Sequence, residues 1–123
     1  MDADAVRAHC LAKPGAEEAY PFGPEALVVK VGGKLFAILA EDEEPARVSL
    51  KCEPELAVVL RETYPAVVAG YHLNKRLWNT VDLDGSVPSA ELVGWIDDSY
   101  DLVVEKLPKR VRDRLSTETG TVT

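Results

Sequence analysis

Apolar and polar positions along this chain fall into alternating helical and extended stretches. Val6, Cys10 and Leu11 recur at helical spacing behind Asp2 and Asp4, either of which can cap a first helix running to about Ala12. Pro14-Gly15 stops it. Tyr20, Pro21, Phe22, Gly23 and Pro24 then predict a rigid aromatic connection whose rings pack on a sheet edge. Ala26 to Val31 and Lys34 to Ala40 are β-rich runs around Gly32-Gly33, which predicts an antiparallel hairpin with a tight turn. Further on, Arg47, Ser49 and Lys51 alternate with Val48 and Leu50, the pattern of a strand with one polar and one apolar face. Pro54 between Glu53 and Glu55 opens a second helix, with Leu56, Val59, Leu60 and Tyr64 as its apolar stripe and Pro65 as its stop. Leu77 to Leu83 reads as another strand, with Leu77, Val81 and Leu83 on one side and Trp78, Thr80 and Asp82 on the other, ended by Asp84-Gly85. Leu92, Ile96, Tyr100, Val103 and Leu107 give the strongest helical repeat, with Ser86 or Ser89 as cap and Pro88 in the first turn. Gly94 inside it costs about 1 kcal/mol relative to Ala, a cost that close packing against another element would explain.

These elements predict an α+β domain of two layers spanning residues 1–115. About four antiparallel strands carry helices on one face, and residues 116–123, rich in Thr, form a disordered tail. The uncovered face would then carry Arg47, Ser49, Lys51, Trp78 and Thr80, with Lys30 alongside, and a Trp among polar neighbours is expected to be partly exposed.

Composition narrows the partners. The 123 residues include 14 Lys and Arg against 21 Asp and Glu, a net charge of −7, so the average field repels nucleic acid and any such binding needs a local patch. Glu41, Asp42, Glu43 and Glu44 concentrate part of that acidity in what reads as a solvated loop. Cys10 and Cys52 lie far apart without C-x-x-C spacing, as reduced core thiols of a cytoplasmic protein would. No apolar run approaches the roughly 20 residues that span a bilayer, and the first residues lack the features of a leader, so a cytoplasmic monomer without membrane attachment is expected.

Candidate chemistry is densest between Tyr71 and Gly85. In a nucleic-acid-binding reading, Lys51, Lys75 and Arg76 meet phosphates while Trp78, Tyr71 or His72 stack on unpaired bases. The plainer readings are packing for the aromatics, hydrated strand-edge charge for Lys75 and Arg76, and for Asn74 a turn residue that bonds its own backbone. The alternative function is a module that anchors a protein or small ligand on the same face through Trp78. Lys106, Lys109, Arg110, Arg112 and Arg114 form a second basic cluster, read as a basic arm or as hydrated complements to the preceding helix. No nucleophile elbow, zinc-protease motif or phosphate loop is present, His9 and Cys10 point about 100° apart on their helix, and no cofactor or metal is expected. The reading leans away from an enzyme.

Cys10-Leu11-Ala12-Lys13-Pro14-Gly15-Ala16-Glu17, Pro21-Phe22-Gly23, Val48-Ser49-Leu50-Lys51 before Pro54-Glu55-Leu56, His72-Leu73-Asn74-Lys75 with Trp78, and Ser99-Tyr100 follow one another in an order that resembles the MmcQ/YjbR family. That resemblance implies a frataxin-like (CyaY-like) fold, described for the family as a double wing, and a DNA-binding role. Many relatives carry a histidine just before the tryptophan; Leu77 stands there in this chain.

Overall fold

A computed structural model describes residues 1–70 and 73–120, with backbone alone for 116–120. In chain order the elements are α1 (Ala3–Leu11), β1 (Ala16–Ala19), β2 (Ala26–Val31), β3 (Lys34–Ala40), β4 (Arg47–Lys51), α2 (Pro54–Thr63), β5 (Val67–Ala69), β6 (Trp78–Asp82), α3 (Ser89–Val104) and α4 (Lys109–Gly120). The fold is α+β, a six-stranded sheet in the order β1-β2-β3-β4-β6-β5 with every neighbouring pair antiparallel. Two strands exceed the expected four. Both are short edge strands, β1 with Glu17 and Glu18 at its centre and β5 only three residues long, and each is held by ladder bonds to a neighbour rather than by its own pattern.

Register sorts the two faces. Leu27 opposite Leu39, Leu39 opposite Val48 and Val48 opposite Val81 build one apolar face, and α1 and α3 close over it with Val6, Cys10, Leu92, Ile96 and Val103. Arg47 opposite Asp82, Ser49 opposite Thr80 and Lys51 opposite Trp78 fall on the other face. The hairpin between β2 and β3 turns at Gly32 and Gly33, with φ of 57° and 80°, conformations that side-chain-bearing residues rarely take. At the amino end Asp2 caps α1 by accepting a 2.9 Å bond from the Ala5 amide.

Three local expectations need correction. The buried stripe of α2 is Ala57, Leu60 and Tyr64, while Leu56 and Val59 face outward. A small residue lets the helix sit close to β6, where buried Asn79 donates to the Ala57 carbonyl. Neither Ser86 nor Ser89 caps α3: Ser86 donates to Asp84 Oδ1, Ser89 Oγ accepts from the Met1 amine, and Pro88 holds the cap position. No neighbour lies within 4 Å of a Cβ placed on Gly94, so close packing does not account for that glycine.

Candidate functional site: a groove on the open sheet face

The sheet face away from α1 and α3 is not bare. Val28, Ser49, Trp78 and Thr80 all point to that side by register, and all are buried. Phe22 of the connection before β2 and Leu73 of the segment before β6 reach it. Between them remains a groove of about 460 Å³ lined by Phe22, Ala26, Ile38, Ala40, Glu43, Arg47, Ser49, Leu73 and Thr80.

Each wall follows from the chain. Ile38 and Ala40 take the positions on β3 that alternate with buried Ala37 and Leu39, so they face the groove. Ser49 and Thr80, paired across β4 and β6, share a 2.8 Å hydroxyl bond that leaves the groove floor polar but internally satisfied. At one end the Arg47 Nε donates to Asp82 Oδ1 at 2.9 Å, so the cation is partly balanced while its side chain stays 43% exposed. Phe22 stands at the rim, 67% exposed, where the sequence reading had its ring packed down. Two prolines and a glycine stiffen the local backbone that presents the ring.

The predicted site residues are placed unevenly. Arg47 lines the groove, and Lys51 and Trp78 lie beyond it along the same strands. The expectation of an accessible indole fails, since Trp78 is 8% exposed. At the ladder position opposite, Gly70 meets the Trp78 backbone so closely that a Cβ there would lie 2.7 Å from the Trp78 Cβ, and the Gly70 amide donates to the Trp78 carbonyl at 2.8 Å. Alternation told the face but not how far it is covered. Lys75 Nζ donates to the Gly70 carbonyl at 3.2 Å, and Arg61 donates to the Lys75 carbonyl and to Asn79, which fixes this segment onto α2. Asn74 accepts from the Arg76 amide at 3.0 Å, the self-bonding turn expected of it. Arg76 is exposed, and Lys30 sits opposite Glu17 in β1, outside the groove lining. Tyr71 and His72 lie outside the described residues. The sequence reading missed Ile38 and Leu73, and with Phe22 they form most of the apolar wall. For Ile38 the signal was available in the strand alternation; for Leu73 it was not.

Nucleophilic and metal chemistry find little footing. Burial pushes the Cys10 thiol up to about 12, ahead of a smaller opposing effect from Lys13, and burial likewise raises Cys52, so both stay protonated at neutral pH. Among the described residues no three His, Cys, Asp or Glu side chains come together as a metal-binding group. No helix of the described residues is long and apolar enough to cross a membrane.

A family model described as YjbR matches residues 11–102, a span that holds the whole sheet and the groove. The chain belongs to the YjbR family. Its relatives there include "Uncharacterized protein YjbR" of Escherichia coli strain K12, 43% identical over 107 residues that make up 87% of this chain and 91% of the relative. "Uncharacterized protein YbdF" of Escherichia coli O157:H7 is 37% identical over 102 residues, 83% of this chain and 84% of the other. Among solved structures, Deinococcus radiodurans protein DR2400, described as a DUF419 domain, superposes with a TM-score of 0.88 at 39% identity, covering 94% of this chain and 88% of that one. A Pseudomonas syringae protein superposes with a TM-score of 0.72 at 28% identity, over 83% of this chain and 98% of its own. The fold of this chain is thus shared with solved proteins of Deinococcus radiodurans and Pseudomonas syringae.

Proposed function

We propose that this YjbR-family chain is a non-enzymatic binding module that takes single-stranded nucleic acid, DNA included, on its open sheet face. One observation carries the reading: a groove of about 460 Å³ with an apolar wall, a polar floor and an exposed aromatic ring at its rim. An unpaired base has the matching make-up, a flat apolar surface with a hydrogen-bonding edge, and stacking on an aromatic side chain contributes about 1–3 kcal/mol. Charge gives the strand a direction. Glu43 of the acidic loop lines the groove, whereas Lys51 stands at the far end of β4, so phosphates are repelled at the first end and attracted at the second. Trp78 has no stacking role here; it is packed structure at the Lys51 end.

A second reading, a small molecule or a protein side chain held in the same groove, is favoured by the lining: Phe22, Ala26, Ile38, Ala40 and Leu73 make five of its nine residues apolar. Titration of labelled single-stranded DNA and RNA at low and at raised salt separates the two. Binding that weakens with salt, and that Phe22→Ala weakens by roughly 5- to 100-fold without changing thermal unfolding, is the expected result. If the unaltered protein takes up neither strand at low salt, nucleic acid is discarded in favour of the second reading.

A further inference from the structure

Beyond the groove, the same strands end in a second hollow. It measures about 310 Å³ and is lined by Lys34, Leu35, Lys51, Trp78, Val103 and Lys106, with no carboxylate in the lining. Three separate features of the fold bring the lysines there. The Gly32-Gly33 turn sets Lys34 at the start of β3, and the β4–β6 register ends with Lys51 opposite Trp78. The buried Ser99 hydroxyl of α3 accepts the Lys51 amide at 2.9 Å, Val103 follows four residues later on that helical face, and the turn that ends the helix, where the Lys106 amide donates to the Val103 carbonyl at 3.1 Å, sets Lys106 beside it.

The lysines of this hollow form no ion pair among the described residues. Among the described residues the ion pairs are Arg7–Glu18, His9–Asp97, Lys13–Asp97, Arg47–Asp82 and Lys109–Asp113, and none uses Lys34, Lys51 or Lys106. The carboxyl end of α3 adds roughly half a negative charge, and Glu53, Asp98, Asp101 and Glu105 line the neighbouring hollow, but none of these carboxylates pairs with the three ammonium groups. In a chain with a net charge of −7, three cations gathered without a partner mark a place where an anion lowers the energy.

We propose that this hollow binds a phosphate group. Lysines act as compact point charges with freely rotating donors, which suits a tetrahedral, multiply charged anion; flat carboxylates are better matched by the fork of arginine. The buried indole and Val103 form an apolar wall that strengthens each charge contact by excluding water. The phosphate can be a free or terminal group or a phosphodiester of a strand running along β4; only the latter source rests on the nucleic-acid reading above.

Nuclear magnetic resonance titration reading the Lys34 and Lys51 amides and the Trp78 indole tests this, with inorganic phosphate, matched chloride and a single-stranded oligonucleotide as probes. Saturable shifts with inorganic phosphate assign a free-phosphate site, and shifts with the oligonucleotide alone assign a phosphodiester site. Either response should weaken roughly tenfold in the Lys34→Gln/Lys106→Gln protein, as loss of two solvent-exposed charge contacts predicts, and stay unchanged in Lys109→Gln, which removes one positive charge elsewhere. Neither probe exceeding chloride, or a double variant that responds like the unaltered protein, overturns the proposal. Phe22→Ala leaves the phosphate response intact, so failure at the groove and failure at the hollow are read separately.

Discussion

Ser99 exemplifies how one small side chain ties several elements together. It is completely buried, donates to the Phe36 carbonyl at 2.6 Å and accepts from the Lys51 amide at 2.9 Å, and so joins α3 to β3 and β4 at once. Replacing it with alanine leaves a buried donor and a buried acceptor without their partner, which costs about 1–3 kcal/mol, and the loosened β4 end carries Lys51 with it. Ser99→Ala is therefore expected to lower the urea midpoint. The same scale holds most of what the sequence could not reveal about the site. Trp78 reads as an aromatic among polar neighbours yet is buried, and its strand position is met by Gly70, eight residues earlier, whose lack of a side chain admits the two backbones at contact distance.

Among elements, α3 was the most legible, because its apolar repeat spans more than four turns and matches the buried residues Leu92, Ile96, Tyr100 and Val103. Gly94 interrupts this helix without a packing reason, so Gly94→Ala is expected to stabilise the protein by about 0.5–1 kcal/mol, measured by chemical denaturation. The junction of α3 with α1 is electrostatic. Burial pushes the Asp97 carboxyl up, but hydrogen bonds and positive charge from Lys13 and His9 outweigh it and hold the group below its ordinary 3.8. The folded state thus binds this proton less tightly than the unfolded chain does. Its contribution is complete above about pH 4 and is lost as the pH falls through the lowered value. Asp97→Asn should cost less than about 1 kcal/mol at neutral pH, since the pair is partly solvated, and should flatten the acid limb of stability against pH. An unchanged acid limb would remove this junction from the account. The edge strands were illegible for the opposite reason to α3: β1 and β5 have four and three residues, too few to display a period, and exist because β2 and β6 offer open ladders.

For the molecule as a whole, the excess of acidic groups sets the terms on which any polyanion can approach. Glu41 to Glu44 face one end of the open sheet side through Glu43, and the lysines that form no ion pair among the described residues collect at the other, so attraction is local and short-ranged. With three lysines in contact, the logarithm of single-strand affinity should fall with the logarithm of salt at a slope of about −2 or shallower, each neutralised phosphate adding about −0.7. A markedly steeper slope would mean a larger basic surface, such as the Lys109–Arg114 segment of α4, and a flat response would favour the uncharged ligand. Alternation and turn chemistry were sufficient to name an α+β domain and to assign Arg47, Ser49, Lys51, Trp78 and Thr80 to one side of a sheet, because both signals are local and repeat at the period of the backbone. The tertiary structure alone decided how far that side is covered, that Phe22 and Leu73 wall a groove, and that Lys34 and Lys106 meet Lys51. Those juxtapositions arise where chain segments tens of residues apart cross, and crossings are set by register and packing that no local period encodes.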